Sequence, residues 1–385
     1  STMNQKELER YIHIPFCVTT CSYCDFLSAP ATEQTKEAYM AALFAEIGGR
    51  AKDYKERIVT SIFIGGGTPS LLSGDSIRRL MEYIREGFSL APDAEITMEV
   101  NPGTVTTEKL TAFYAAGINR LSIGMQSAQE QELKILGRIH DFDGFCQVYR
   151  EAVEAGFTNI NVDVMSGLPG QTLASYKDTL EKVLRLEPMP QHISAYSLIV
   201  EEGTPFAVMA DRGELPLPEE DTERAMYEET IEVLAGYGFH RYEISNYALD
   251  GYECRHNVGY WIRREYLGFG IGAASLIDNV RFQNGRDLNA YLAHPFACRE
   301  EEQSLTTQEQ MEETMFLGLR LIRGVSYPEF ARCYGQTLEE VYGEVIARNV
   351  ADGLLTVRED ETGRRLTLTG RGLDVSNYVM AQFLF

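Results

Sequence analysis

The chain has 385 residues and a net charge of −22, from 35 basic and 57 acidic residues. A surface of this sign repels nucleic acid phosphates and anionic lipid heads, which argues against a nucleic acid partner. No apolar run approaches the roughly 20 residues that a membrane-spanning helix needs. Seven cysteines, three of them clustered, argue against a secreted disulfide framework. We therefore expect a cytoplasmic protein, with its oligomeric state left open.

Short β-branched runs alternate with longer amphipathic stretches over the first two hundred residues. The strand-like runs are 11–16, 58–67, 95–100, 120–127, 159–170 and 192–199. The helical patterns between them include 36–47, 74–88, 107–117 and 176–186. Such alternation is typical of parallel βαβ units, so it predicts an α/β fold: a partial (β/α)₆ barrel or a doubly wound sheet. Both architectures bind ligands at the carboxyl ends of the strands.

The remainder of the chain predicts a second, smaller unit. A helix is expected within 221–239, and a strand pair within 241–248 and 266–277. From about residue 305 the pattern becomes strongly helical, with a stop at Gly324, and it ends in a hairpin and a terminal helix. We therefore divide the chain into a barrel domain with extension strands, 1–300, and a helical, winged-helix-like domain, 301–385.

Three cysteines lie close together after the first predicted strand. Cys17, Cys21 and Cys24 have C-x₃-C-x₂-C spacing. Structural zinc sites favour two C-x₂-C pairs, and no second pair exists. Three thiolates suit a [4Fe–4S] cluster in which one iron is free to bind another ligand. A structural metal in a plain binding module remains as an alternative.

Polar and glycine-rich segments follow several of the predicted strands. Gly65, Gly66 and Gly67 in "GGGTPS" allow a ligand to approach the backbone closely, or else form a tight turn. No Gly-Lys-Ser/Thr follows, so this is not a phosphate loop. Glu99 in "MEVNP" ends the third run and is either solvated or a ligand for a cationic or hydroxylated group.

The cysteine spacing, with Tyr23 before the last cysteine, resembles the radical S-adenosylmethionine (SAM) superfamily. The resemblance implies a partial (β/α)₆ barrel of the radical SAM type, a [4Fe–4S] cluster on Cys17, Cys21 and Cys24, and SAM bound to the open iron. It also implies further SAM contacts at the strand ends. These are Tyr11, Tyr23, Gly65, Gly66, Gly67, Thr68, Glu99, Gln126 in "GMQS", Arg138 in "LGRIH" and Asp163 in "NVDVMSGLPG".

Within that superfamily, "YIHIPFC", "GGGTPS", "NRLSIGMQS" and "DVMSGLPGQT" resemble the oxygen-independent coproporphyrinogen III oxidases and their relatives. The oxidases continue the cysteine motif with a further cysteine where this chain has Phe26, and they carry a longer segment ahead of it. The haem chaperones of the HemW type share instead a motif that matches "HNVGYW" here, from His256 to Trp261. Histidine is a plausible axial haem ligand, although a packed loop is the simpler interpretation of the motif alone.

The resemblance implies a haem-binding chaperone that holds the cluster and SAM and delivers haem to acceptor proteins, which include membrane-bound ones. His256 is its expected haem contact. The alternative is an enzyme, an oxygen-independent coproporphyrinogen oxidase that decarboxylates propionates by a deoxyadenosyl radical. SAM cleavage is compatible with either hypothesis, and the sequence does not identify the haem acceptor.

Overall fold

A computed structural model of the chain describes residues 6–17, 31–296 and 299–385. Twelve strands of these ranges form one sheet, in the order β12-β11-β10-β9-β1-β2-β3-β4-β5-β6-β8-β7. The strands are β1 (Lys6–Ile14), β2 (Arg57–Gly66), β3 (Ser89–Val100), β4 (Arg120–Gln126), β5 (Ile160–Ser166), β6 (His192–Ser197), β7 (His240–Arg241), β8 (Asn246–Ala248), β9 (Glu265–Phe269), β10 (Ala274–Ile277), β11 (Val280–Asn284) and β12 (Arg299–Ser304).

Strands β1 to β6 pair in parallel and in chain order, as the alternating pattern predicts. The connecting helices pack their apolar sides onto the sheet, and the buried residues form one large core. These helices are α1 (Glu33–Arg50), α2 (Gly74–Gly87), α3 (Thr107–Ala116), α4 (Glu130–Leu136), α5 (Phe142–Ala155) and α6 (Leu173–Leu184). Within the described ranges, no helix is both long enough and apolar enough to cross a membrane.

The sheet is open rather than closed, which confirms the partial (β/α)₆ barrel. Beyond β1, strand β9 adds in parallel, and β10 to β12 continue antiparallel. Beyond β6, strands β8 and β7 add antiparallel. The helices of this region are α7 (Pro205–Asp211), α8 (Glu220–Gly236), α9 (Arg255–Trp261) and α10 (Leu288–Ala293). Helix α9 therefore lies on the chain segment that links one side of the open sheet to the other.

The expected strand 266–277 is two strands, because the chain turns between β9 and β10. Gly270 and Gly272 have φ angles of +97° and +64° there, which an L side chain rarely adopts. A Cβ at Gly270 would lie 2.3 Å from the Tyr39 hydroxyl of α1. The glycines thus allow α1 to pack tightly against this turn, which borders the cavity described below.

The C-terminal part has a core of its own, built by five helices and a three-stranded sheet in the order β13-β15-β14. Gly324, where the sequence predicts a stop, takes a φ of +71° and lies between the first of these helices and β13. The elements are α11 (Thr307–Gly318), β13 (Val325–Ser326), α12 (Tyr327–Tyr334), α13 (Leu338–Ala351), β14 (Leu355–Asp360), β15 (Gly363–Leu368), α14 (Gly370–Asp374) and α15 (Ser376–Ala381). We propose that the division between domains follows β12, since that strand pairs with β11.

Candidate functional site

A cavity of about 680 Å³ opens at the carboxyl ends of the barrel strands. It brings together most of the side chains that the sequence singled out, although they come from distant segments. The candidate residues that line it are Tyr11, Cys17, Gly66, Gly67, Thr68, Glu99, Gln126, Arg138, Asp163 and His256. Gly65 does not line the cavity, and the remaining candidates Cys21, Tyr23 and Cys24 lie outside the described residues.

The glycine-rich loop after β2 is joined to the segment that leads to Cys17. The Gly67 N–H donates to the Ile14 carbonyl oxygen at 2.8 Å, and the Thr68 N–H donates to the Phe16 carbonyl at 2.6 Å. Gly66 has a φ of +118°, and a Cβ there would lie 2.7 Å from the Ile14 carbonyl oxygen. The loop therefore holds the chain immediately before the first cysteine at a fixed position.

Gly65 makes room for the Glu99 carboxylate at the end of β3. A Cβ at Gly65 would lie 2.3 Å from Glu99 Oε1, so a larger residue must displace the carboxyl group. Burial and the nearby Asp163 raise the pKa of Glu99 to about 8, although the Gly66 N–H donates a hydrogen bond to it. A cationic or N–H-bearing ligand would relieve this cost by pairing with the carboxylate.

Asp163, at the centre of β5, supplies a second carboxyl group. Its Oδ1 accepts a 2.8 Å hydrogen bond from the Asn161 amide. Burial raises the pKa of Asp163 to about 6, and this bond together with Arg120 and Arg138 opposes the shift. Arg138 is oriented by donating to the Gly124 carbonyl at 2.7 Å. The cavity thus offers both charge signs, which suits a zwitterionic ligand that also carries hydroxyl groups.

Gln126 ends β4 in a backbone conformation that non-glycine residues rarely adopt, with a φ of 70°. The pairing of β4 with β5 shifts register between Ile123 and Gln126. Bulges of this kind redirect a side chain and recur beside functional sites. The Tyr196 hydroxyl of β6 donates to Gln126 Oε1 at 2.7 Å and fixes its amide at the cavity wall. Tyr196 was not predicted, because 70 residues separate the two partners.

His256 reaches the same cavity from α9, which packs against the inner face of the barrel. Gly259 permits this approach, because a Cβ there would lie 2.4 Å from Glu9 Oε2. The His256 ring is held by its Nδ1, which is 2.8 Å from the Ser61 hydroxyl oxygen. Ser61 in turn donates to Glu9 Oε2 at 2.9 Å. When Glu9 is ionised and accepts from Ser61, the Ser61 oxygen is left to accept the proton of His256 Nδ1, and Nε2 is then the unprotonated nitrogen.

The same hydrogen bonds set the state of the second ring nitrogen of His256. Its Nε2 has no hydrogen-bond partner among the residues that the structure describes, and the side chain is 12% exposed. Burial lowers the pKa of His256 to about 4, so the ring is neutral near pH 7. Glu95 anchors the start of α9 by accepting the N–H groups of Arg255 and His256 at 2.8 Å and 3.1 Å. The result is a neutral imidazole at the cavity wall, with Nε2 as its acceptor nitrogen when Glu9 is ionised.

Comparison with known proteins identifies this scaffold. Residues 11–183 match the radical SAM superfamily, and residues 305–375 match the HemN C-terminal domain. The haem chaperone HemW of Lactococcus lactis subsp. lactis is 37% identical over 383 residues, which cover 99% of this chain and 98% of that protein. The haem chaperone HemW of Bacillus subtilis is 38% identical, with 97% and 98% coverage. The chain belongs to the HemW family.

The HemW scaffold of this chain also matches a solved oxidase. The coproporphyrinogen III oxidase HemN of Escherichia coli, described as a radical SAM enzyme, superposes with a TM-score of 0.83. Its sequence is 27% identical, and the match covers 99% of this chain and 91% of that one. The barrel and the C-terminal domain are thus a framework that this chain shares with that oxidase.

A [4Fe–4S] cluster and SAM are the cofactors of the superfamily to which this HemW-family chain belongs. The cavity fits them, because Cys17 stands at its wall and the Gly65 and Gly66 backbone leaves the Glu99 carboxyl open to a ligand. SAM carries an ammonium, a carboxylate and a ribose diol, which match the mixed charges found here. Among the described residues, no group of three or more His, Cys, Asp or Glu side chains could hold a further metal ion.

Proposed function

We propose that this chain is a haem chaperone: it binds haem and passes it to acceptor proteins, which include membrane-bound ones. Its membership of the HemW family, whose curated relatives are named haem chaperones, supports the proposal. We further propose that Cys17, Cys21 and Cys24 hold the cluster. SAM would then contact Tyr11, Tyr23, Gly65 to Thr68, Glu99, Gln126, Arg138 and Asp163. The scattered remaining cysteines favour work in a reducing cytoplasm.

The position of His256 carries the haem-binding part of the proposal. Ferric and ferrous haem take a neutral imidazole as axial ligand. His256 is neutral, its Nδ1 is held by Ser61, and its Nε2 is unpartnered within the described ranges. A second hydrogen bond that fixes the tautomer of a ligating histidine is a recurrent feature of metal sites. Tyr260, one turn further along α9, also lines the cavity and offers an aromatic face to a porphyrin.

The test is a haem titration of the reconstituted full-length chain and two variants. His256→Ala removes the proposed ligand, whereas His294→Ala removes an exposed histidine that does not line the cavity. We expect a Soret shift for the wild type and for His294→Ala, and a loss of at least about tenfold in haem affinity for His256→Ala. Equal titrations of both variants would exclude His256, and a wild type without a Soret shift would refute the function.

The structural match to the oxidase HemN favours a second candidate, radical decarboxylation of coproporphyrinogen III. An anaerobic assay with the reconstituted cluster, SAM, a reductant and coproporphyrinogen III separates the two functions. Formation of deoxyadenosine without decarboxylated porphyrin supports the chaperone. Accumulation of decarboxylated porphyrin over many turnovers would establish the oxidase and show that Phe26 does not discriminate the two groups.

A further inference from the structure

A second cavity, of about 690 Å³, lies between the barrel and the C-terminal domain. Its walls come from α9, the strand β7, the loop 321–323 and the β14–β15 hairpin. Backbone contacts across the junction hold these walls together: Ile322 N–H donates to the Tyr242 carbonyl at 3.0 Å, and Glu243 bridges to Leu321. Arg255 and Val258 face this cavity, whereas His256 of the same helix faces the barrel.

The charge of this second cavity is opposite to that of the chain as a whole. Six arginines line it, against three acidic residues, although the chain carries a net charge of −22. The arginines are Arg241, Arg255, Arg264, Arg323, Arg358 and Arg365. Because acidic side chains outnumber basic ones elsewhere, the concentration of guanidinium groups in one concave region requires an explanation.

Carboxylates within the fold neutralise only some of these guanidinium groups. Arg365 Nε donates to Asp360 at 2.6 Å, and Arg264 Nε pairs with Glu7 at 2.8 Å. Arg255 lies near Asp93 and Glu95 of β3. The positive charges of these three arginines are therefore largely compensated by carboxylates of the same chain.

The other three guanidinium groups lack a carboxylate partner in the part of the chain that the structure describes. Arg241 donates two hydrogen bonds to the Ile244 carbonyl, which carries no net charge. Arg323 and Arg358 form neither an ion pair nor a hydrogen bond with the described residues. Burial, and then the positive charges of Arg365 and Arg264, lower the pKa of Arg323, while the nearby Asp360 carboxylate opposes this shift. The fold thus places three guanidinium groups around one cavity without a direct ion pair to a described carboxylate.

The hairpin adds a direct repulsion. Arg358 of β14 and Arg365 of β15 are cross-strand partners in the antiparallel register. Like charges placed directly opposite destabilise a sheet. Asp360 offsets part of this repulsion by pairing with Arg365, and an anion that contacts both guanidinium groups would offset the rest.

We propose that this cavity binds a small organic polyanion that bears at least two phosphate or carboxylate groups. Guanidinium groups contact both kinds of anion through paired, nearly parallel hydrogen bonds. The volume is that of a site for a metabolite-sized molecule rather than for a protein segment. Arg323 and Arg358 make the principal contacts, because neither forms an ion pair with a carboxylate among the described residues. This inference is independent of haem binding.

The test measures binding of inorganic pyrophosphate and of tricarballylate to the reconstituted full-length chain by calorimetry at low ionic strength. The double variant Arg323→Gln/Arg358→Gln removes the two uncompensated charges. A matched control, Arg78→Gln/Arg332→Gln, removes two exposed arginines that lie outside the cavity. We expect one anion per wild-type chain, an affinity that falls with added salt, and a loss of at least about tenfold in the cavity variant alone.

Each outcome of this experiment decides the proposal. Binding of pyrophosphate alone assigns a phosphate-bearing ligand, binding of tricarballylate alone assigns a carboxylate-bearing one, and binding of both supports the shared anion chemistry. Absence of binding to the wild type, or equal binding by the cavity and control variants, overturns it. The single variant Arg358→Gln, on an exposed strand position, gives the same comparison if the double variant does not fold.

Discussion

The hydroxyl of Ser61 connects the candidate haem ligand to the barrel wall, and we predict that Ser61→Ala weakens both stability and haem binding. The substitution removes the 2.9 Å hydrogen bond to Glu9 Oε2 and the 2.8 Å contact with His256 Nδ1. Ser61 is 1% exposed and Glu9 is 0% exposed, so water does not readily replace the lost partner. Glu9 Oε1 already lacks a hydrogen bond among the described residues.

The magnitude follows from the cost of leaving a buried polar group without its partner. That cost is about 1–3 kcal/mol, so we expect the free energy of unfolding to fall by about 2 kcal/mol. The His256 ring also loses the contact that fixes its tautomer and orientation. Loss of such an outer contact weakens metal binding by about 10–100-fold, which is about 1.4–2.8 kcal/mol. Haem affinity is therefore expected to fall by at least about tenfold.

The matched control is Thr60→Val, on the neighbouring residue of β2. The Thr60 hydroxyl is buried and has no hydrogen-bond partner among the described residues, so its removal is expected to be neutral or slightly stabilising. Urea unfolding and a Soret titration are measured for the wild type and both variants under the same conditions. If Ser61→Ala and Thr60→Val behave alike in both assays, the contacts among Glu9, Ser61 and His256 do not contribute as argued.

Three further variants test the site and its titration. Gly259→Ala places a Cβ 2.4 Å from Glu9 Oε2 and should weaken haem binding and lower stability. Its control is Gly48→Ala on α1, where a Cβ meets nothing within 4 Å; this variant should raise the free energy of unfolding in urea by about 0.5–1 kcal/mol. Because the pKa of Glu99 is raised to about 8, the folded chain becomes less stable as the pH rises from 4.5 towards 8. Glu99→Gln should therefore raise the melting temperature at about pH 8, and it should weaken SAM binding in calorimetry. Burial lowers the pKa of His140 to about 4, so between pH 6.5 and 4 the unfolded chain binds a proton at His140 more readily than the folded chain does. The free energy of unfolding should therefore fall as the pH drops through this range. His140→Gln should reduce this pH dependence in urea titrations.

The strand ends of the barrel were predictable because their determinants are local. Each parallel strand is a short β-branched run, and the polar residue that follows it lies at the same edge of the sheet as the others. Glu99, near the end of β3, could therefore be placed at this edge from sequence alone, whereas Asp163 lies at the centre of β5 and was assigned through the family resemblance. Glu9 was also within reach, because it alternates with Tyr11 on β1 and therefore lies on the same face of that strand.

Other parts of the site depend on contacts between residues far apart in the chain. Ser61 and His256 are separated by 195 positions, and no periodicity within either segment indicates the contact. The left-handed conformation of Gln126 follows from a register shift between β4 and β5, which composition does not encode. The arginine cavity was not predicted for the same reason, since its walls come from several separate segments.

The open edge of the barrel gives α9 a mechanical role. The chain leaves the sheet at β8, beside β6, and returns to it at β9, beside β1, and α9 lies on the intervening segment. This segment connects the two sides of the opening. We therefore expect a change in the separation of the two sides to move the helix that bears His256. Because α9 packs against Glu9 and is hydrogen-bonded to Glu95, the position of the His256 imidazole depends on the curvature of the sheet.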